Sequence, residues 1–213
     1  EIGRKSIQTM KTKNHMLDKL INWAKYTFFN RTRRLREEAF EIKHHNVVIE
    51  GERYFVAQAT NTDIPEILTV ERAVYDGQTP WDRMAFANEL RRKLDRLYLV
   101  IRHNDQLLGF IGASFDDRSK MAHITNVAIL PEYQNRGIGS FLIESIIKKA
   151  QFIEYKSITL EVRKSNITAQ ALYLKIGFEK TGIKKRYYFG DHEDAIDMTL
   201  DLSKWRGGYR GSN

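Results

Sequence analysis

The 213-residue chain contains no cysteine and only three prolines. Without cysteine there is no disulfide framework, no thiolate-bound zinc and no thiol nucleophile. That composition fits a reducing compartment, and the expected location is the cytoplasm. Long hydrophobic runs are missing too. The longest stretch free of Asp, Glu, Lys and Arg is Met121–Pro131, eleven residues, whereas a membrane-spanning helix needs about 20 largely apolar ones. No transmembrane segment is expected. No apolar stretch near the start is followed by a small-residue cleavage site, so no secretory signal is expected either. The first residue is Glu1 rather than Met, which reads as a trimmed start.

What the chain does have is enough apolar material for a core. Hydrophobic residues make up 42%, with 11 Phe, 10 Tyr and 3 Trp among them, which excludes wholesale disorder. The length suits one domain with an extension, or two small domains. A net charge of +8 suggests a nucleic-acid partner until it is mapped along the chain. Residues 1–34 hold nine of the 35 basic residues and two of the 27 acidic ones. That leaves 26 positive and 25 negative charges on residues 35–213. A basic leader precedes a nearly neutral body.

In the leader, Met16, Leu17, Leu20, Ile21, Ala24 and Phe28 recur at helical spacing, with Lys19, Asn22 and Lys25 between them. Residues 1–50 therefore read as a basic, amphipathic helical extension. It could dock on the body, lie on an anionic surface or make weak contact with RNA. After Gly51 strands and helices alternate. Arg53–Ala59 reads as a strand, and Asp63-Ile64-Pro65 opens a helix through Val74. A second helix opens at Thr79-Pro80-Trp81-Asp82 and runs towards Asp95. Leu97–Ile101 and Leu107–Phe115 read as a hairpin around His103-Asn104-Asp105-Gln106. Ala122–Leu130 is a strand, Gly137–Ile153 a helix, Ser157–Val162 a strand and Ile167–Ile176 a short helix. Tyr187-Tyr188 and Ala195–Leu202 suggest a final strand pair. This order predicts an α/β (α+β) domain over residues 51–203, with a mixed sheet flanked by helices, and a tail over 204–213.

One segment carries chemistry. Val127-Ala128-Ile129-Leu130-Pro131 leads through Glu132-Tyr133-Gln134-Asn135-Arg136 into Gly137-Ile138-Gly139-Ser140. A strand runs into a turn and then a helix with glycines in its first turn. Glycine lets the backbone approach a ligand, and the unpaired amides and dipole of a helix start suit a pyrophosphate. No Gly-Lys-Ser/Thr follows, so this is not a Walker loop, and the third glycine of the dinucleotide fingerprint is absent.

Gln134-x-x-Gly137-x-Gly139 after an apolar strand resembles the acetyl-coenzyme A pyrophosphate loop of the GNAT (GCN5-related N-acetyltransferase) superfamily. Asn166-x-x-Ala169-x-x-Leu172-Tyr173-x-x-x-Gly177-Phe178 resembles the second signature of the same superfamily. Within it, the RimI-type ribosomal-protein N-terminal alanine acetyltransferases are the nearer match. The resemblance rests on Leu160-Glu161-Val162-Arg163-x-Ser165-Asn166, Arg186-Tyr187-Tyr188 and Glu193-Asp194-Ala195-Ile196-x-Met198, with Glu71-Arg72-Ala73 and Pro80-Trp81 earlier. It covers roughly residues 52–202 and implies a single GNAT-type domain with a mostly antiparallel sheet. Where that subfamily commonly has Pro after the Tyr pair, this chain has Phe189-Gly190, which alters the loop.

Alternation puts Thr159, Glu161 and Arg163 on one face of their strand and Ile158, Leu160 and Val162 on the other. From pattern alone, Glu161 is either a surface ion-pair partner or a carboxylate able to take a proton from an ammonium. The resemblance implies the second. Tyr173 is a packed helix residue or, as the resemblance implies, the acid that protonates the departing thiolate. Asn166 is a helix cap or a holder of the pantetheine or phosphate arm. The resemblance further implies main-chain contacts from Val127 and Ile129, and a phosphate cradle of Gln134, Arg136, Gly137, Ile138, Gly139 and Ser140. Trp81, Tyr187, Tyr188, Glu193 and Asp194 would lie on the acceptor side. Adjacent tyrosines on a strand should face opposite ways, and the acidic pair either receives an α-amine or only fixes the loop. The histidines show no metal-ligand spacing, so no metal is expected. His44-His45 reads as surface and His123 as a structural, hydrogen-bonded residue.

The expected function is therefore direct transfer from acetyl-CoA to a protein N-terminus, the alanine of a small-subunit ribosomal protein, with Glu161 as base and Tyr173 as acid. The alternatives are acetylation of a small amine (polyamine or aminoglycoside) and a non-catalytic binding module recruited by its basic leader.

Overall fold

The computed structural model describes residues 33–42 and 45–207 except 76 and 78, together with positions 19, 23, 27 and 31. The chain separates into two compact units, Glu1–Glu38 and Ala39–Asn213. In the first unit, Thr27 Oγ1 donates to the Trp23 carbonyl at 2.8 Å, and Arg33 pairs with Glu37 at 2.9 Å. Both contacts span one helical turn, and residues 33–40 are helical (α1). The apolar stripe expected at Met16, Leu17, Leu20, Ile21, Ala24 and Phe28 lies outside the described residues.

The second unit is built on an eight-stranded sheet in the order β1-β2-β3-β4-β5-β6-β8-β7. Its strands are β1 (His45–Ile49), β2 (Glu52–Gln58), β3 (Arg96–His103), β4 (Gln106–Asp116), β5 (Met121–Ile129), β6 (Ser157–Arg163), β7 (Glu179–Lys184) and β8 (Ala195–Asp201). The helices are α2 (Ile64–Val74), α3 (Arg83–Arg91), α4 (Ile138–Phe152) and α5 (Ile167–Ile176). Every neighbouring pair is antiparallel except β5 and β6. This is the mixed, mostly antiparallel sheet expected. No helix of the described residues is long and apolar enough to cross a membrane.

Both faces of the central strands are covered. Phe110 meets Phe86 of α3 edge-on at 5.7 Å, whereas Phe115, of opposite parity on β4, meets Phe40 at 4.6 Å and Tyr155 at 5.8 Å. The helix starts follow the sequence signals. Asp82 caps α3 by accepting the Ala85 amide at 2.7 Å, and Pro65 stands in the first turn of α2. The stripe Ile138, Leu142, Ile146 and Ala150 of α4 is fully buried. The β3–β4 turn has Asn104 and Asp105 both left-handed, φ 46° and 64°, the geometry that suits the right-handed twist of a two-residue hairpin.

Two strands depart from the sequence reading. Residues 45–49, placed in the helical extension, form β1 and pair with β2 through a two-residue turn at Glu50 and Gly51, φ 49° and 87°. Tyr187-Tyr188 is not a strand. Its place beside β8 is taken by Glu179–Lys184, a polar sheet-edge segment that shows no alternation of apolar residues. Arg186 then turns left-handed, φ 53°, and ends the extended run before the tyrosines.

Candidate active site

Two strands that begin as partners and then part create the site. β5 and β6 pair only at Met121–His123 with Ser157–Thr159. Beyond that, Ile124–Ile129 keeps β4 on one edge and leaves the other facing a gap. Thr125 bulges out of the ladder between the pairs Gly112–Asn126 and Ala113–Ile124, and such a bulge re-aims the strand. Leu130 donates its amide to the Leu108 carbonyl of β4 at 2.8 Å, so by alternation Val127 and Ile129 turn their main-chain groups to the free edge, where they can meet an extended ligand as a further strand would.

At the end of β5 the chain turns through Pro131–Tyr133 into α4. Asn135 and Gly137 are left-handed, φ 59° and 74°, and Gly137 is the N-cap of α4 with no side chain bonded to the first-turn amides. The amides of Ile138, Gly139 and Ser140 thus form an uncapped helix start, which favours an anion. Gln134 Nε2 donates to the Ile129 carbonyl at 3.0 Å and folds the turn back on its own strand. The Arg136 guanidinium lies over the Tyr133 ring, 5.0 Å from its centroid. The two glycines serve protein packing. A β-carbon at Gly137 would stand 3.0 Å from Ile49 Cγ2 and 3.1 Å from Glu50 Oε1, and one at Gly139 would stand 3.3 Å from Leu172 Cδ2 of α5.

Glu161 sits on the diverging part of β6 with its side chain 14% exposed. Lys184 Nζ donates to its Oε1 at 2.5 Å, and His123 Nε2 lies 3.2 Å from its Oε2. His123 Nδ1 is 2.9 Å from Thr159 Oγ1, which fixes the ring. Burial pushes the Glu161 carboxyl up, but His123 and Lys184 outweigh it and hold the group at about 2. The ammonium of Lys184 is raised in turn by Glu161 and Asp197.

Tyr173 of α5 is 6% exposed, with its ring 5.8 Å from that of Phe178. Burial raises its phenol well above the ordinary value, and the nearby phenols of Tyr75 and Tyr188 raise it further. Asn166 caps α5 by accepting the Ala169 amide at 3.0 Å. Gln170, buried, donates to the carbonyls of Arg163 and Lys164 at 3.1 and 2.9 Å and ties α5 to the end of β6.

The segment between β7 and β8 is held by its own acids. Glu193 accepts from Arg163 at 2.8 Å and from the Ser165 amide at 2.6 Å. Asp194 accepts from Lys185 at 2.9 Å and from the Arg186 amide at 3.1 Å. Of the two roles open to this acidic pair, these contacts are those of loop fixation, and both carboxyls lie below the usual range. Arg163 also covers the Tyr188 ring at 4.1 Å. Tyr187 and Tyr188 meet edge-on at 5.3 Å, and both phenols are raised by burial and by Glu161, so the two rings face one site rather than opposite sides. Trp81 packs on Phe86, with ring centroids 5.5 Å apart.

A family model described as the acetyltransferase (GNAT) family matches residues 61–178, more than half of the chain. The chain belongs to the GNAT acetyltransferase family. It is similar to the ribosomal protein bS18-alanine N-acetyltransferase of Salmonella typhimurium, at 33% identity over 147 residues that cover 68% of this chain and 95% of that one. The N-alpha-acetyltransferase RimI of Mycobacterium tuberculosis is 30% identical over 148 residues, covering 68% and 91%. The crystal structure of the ribosomal-protein-S18-alanine N-acetyltransferase from Escherichia coli superposes with a TM-score of 0.63 at 28% identity, covering 75% of this chain and 99% of that one. As a GNAT member the protein is an acetyl-CoA-dependent N-acetyltransferase.

Of the groups around Glu161, Lys184 was not singled out in the sequence, whereas His123 is the hydrogen-bonded strand residue expected. The two grip Glu161 from strands on either side of β6. Glu71 stood in the sequence only as part of Glu71-Arg72-Ala73, with no role of its own. It is 2% exposed on α2, and the Trp81 amide donates to its Oε2 at 3.5 Å. Burial raises its carboxyl to about 7, against the weaker pull of that amide. A signal for it existed, because Ile64, Ile67, Glu71 and Val74 follow helical spacing and put the carboxylate on the apolar face.

Proposed function

We propose that this chain moves the acetyl group of acetyl-CoA to the α-amine of a protein N-terminus, with the N-terminal alanine of a small-subunit ribosomal protein as acceptor, the class named in its relatives. The observation that carries the choice of an α-amine is the grip of Lys184 and His123 on Glu161. A carboxyl held at about 2 is a weak proton acceptor. Moving a proton to it from an α-ammonium of pKa about 8 is uphill by roughly 6 units, about 8 kcal/mol. Binding an amine that is already neutral costs much less. At pH 7 that cost is about 1 kcal/mol for an α-amine, and about 5 kcal/mol for a lysine or polyamine nitrogen of pKa near 10. That difference belongs to the amines themselves, and a carboxylate this weakly basic does nothing to offset it.

Acetyl-CoA, when bound, supplies the thioester whose carbonyl carbon forms the C–N bond as the C–S bond breaks. The fit of the chain to it rests on the uncapped start of α4 and the free edge of β5. The amides of Gly137, Ile138, Gly139 and Ser140, with Arg136 and Gln134, hold the phosphates. Main-chain groups of Val127 and Ile129, and the Asn166 amide, hold the arm. Glu161 acts late: once the C–N bond forms, the nitrogen's surplus proton is strongly acidic, and the carboxylate accepts it directly or through a water. Tyr173 gives its phenolic proton to the departing sulfur, and burial keeps that proton in place beforehand. Tyr187, Tyr188 and Trp81 wall the acceptor side, while Glu193 and Asp194 hold the loop. The basic leader adds a weak, salt-sensitive contact with RNA or another anionic surface. The setting is the cytoplasm.

The test is mass spectrometry of the full chain incubated with acetyl-CoA and peptides bearing the N-terminal sequences of ribosomal proteins. An acetyl group on a free α-amine of alanine is expected. A polyamine acetylated in place of such peptides would overturn the reading.

A further inference from the structure

The first strand hairpin reaches the loop that opens α4, and it brings acid with it. Its β1–β2 turn lies outside residues 61–178, the part matched by the family model. Ile49, buried, and Glu50 are the side chains that a β-carbon on Gly137 would strike, at 3.0 and 3.1 Å. The contact is seen independently from Tyr54 on β2. Its buried phenol is raised by burial and by Glu52, lowered by Arg136, and raised again by Tyr133 and Glu50. Tyr133, Arg136 and Gly137 of the loop thus share one neighbourhood with Glu50 and Glu52 of the hairpin. Glu50 and Glu52 act on the same phenol as Arg136, the one basic residue of residues 131–137.

We propose that the β1–β2 hairpin is a wall of the donor phosphate site and that Glu50 lowers the affinity for acetyl-CoA and for the CoA product. The inference rests on the reading of residues 134–140 as the phosphate cradle. Its physics is like-charge repulsion. A helix start attracts an anion, and Glu50 Oε1 stands 3.1 Å from where a β-carbon on Gly137, the residue that opens α4, would lie. An incoming pyrophosphate must share the field with that carboxylate. The backbone geometry supports such a side chain at this place, since the two-residue turn fixes Glu50 at φ 49° and aims the hairpin end at Gly137. A weaker hold on the product hastens its release, so the hairpin trades donor affinity for turnover.

Isothermal titration of CoA into the full chain tests this without reference to catalysis. Glu50→Gln keeps the shape of the turn and removes the charge. It should tighten CoA binding roughly fivefold at low salt, the scale of one surface charge near a phosphate, and the gain should shrink at high salt. Glu50→Lys should tighten it further, while Arg136→Ala should weaken it. Unchanged or weaker binding by Glu50→Gln, with Arg136→Ala still weakened, would overturn the role of Glu50 and leave the cradle standing. If Arg136→Ala also binds as wild type does, the cradle reading fails and the inference falls with it.

Discussion

Lys184 Nζ lies 2.5 Å from Glu161 Oε1 although β8 runs between their strands. The lysine reaches across Asp197, which it meets at 3.3 Å, and lies over the Tyr187 ring, 5.3 Å from its centroid. An ammonium already paired with this carboxylate is the intramolecular counterpart of the acceptor's own. Lys184→Met should free one oxygen of Glu161, raise its carboxyl from about 2 towards the ordinary range and make it a better proton acceptor. The expected outcome is a relative gain for lysine and polyamine acceptors over α-amines, read as the ratio of their kcat/KM values. Lys184→Arg should keep the wild-type ratio.

Glu161→Gln removes the proposed late proton acceptor. Turnover should fall by about 10²-fold or more near neutral pH, with CoA affinity unchanged, because the carboxylate stands on β6 and the loop proposed to hold the phosphates follows β5. Initial rates and CoA titration on the same preparation check both halves.

Tyr173→Phe should slow transfer by about 10²-fold while leaving the melting temperature nearly unchanged, since the ring keeps its contact with Phe178. The raised phenol of the wild type predicts no loss of rate from Tyr173 ionisation below about pH 10. A pH–rate profile that fell near pH 8 in wild type, and not in the variant, would contradict this.

Glu71 and Glu161 give opposite pH signatures in stability. Glu71 is raised in the fold from 4.5 to about 7, so the unfolded chain ionises first. Its favourable contribution is complete below pH 4.5 and is lost as pH rises through 7, on the order of 3 kcal/mol in all. Glu161 is lowered from 4.5 to about 2, and its contribution, present above pH 4.5, is lost as pH falls towards 2. Denaturant unfolding from pH 4 to 8 should therefore show a decline in wild type that Glu71→Gln abolishes. From pH 5 down to 2, it should show a decline that Glu161→Gln reduces.

How much of this was legible depends on where the physical cause lies. The strand, turn and helix from Val127 to Ser140 could be read because apolar alternation, Pro131 and two glycines all act locally. The Asn104-Asp105 hairpin could be read for the same reason. β1 was missed because its turn, Glu50-Gly51, is not one of the strong two-residue hairpin pairs. β7 was missed because an exposed edge strand needs no apolar face. No local signal links Lys184 to Glu161; that contact depends on the register of three strands, in which Arg163, Ala195 and Lys184 fall level. Likewise the edge-on meeting of Tyr187 and Tyr188 follows from the left-handed Arg186, which the sequence does not mark.

The central claim is that the site selects a weakly basic α-amine, and a competition at pH 7 tests it most directly. A peptide with a free N-terminal alanine, the same peptide blocked at its N-terminus and carrying one lysine, and spermidine would be mixed at equal concentration with the full chain and acetyl-CoA. The products would be quantified by mass spectrometry. The account predicts that the α-amine is acetylated over the other two by more than about a hundredfold, the order set by the difference in their neutral fractions. Equal or preferred acetylation of spermidine or the lysine side chain would contradict it.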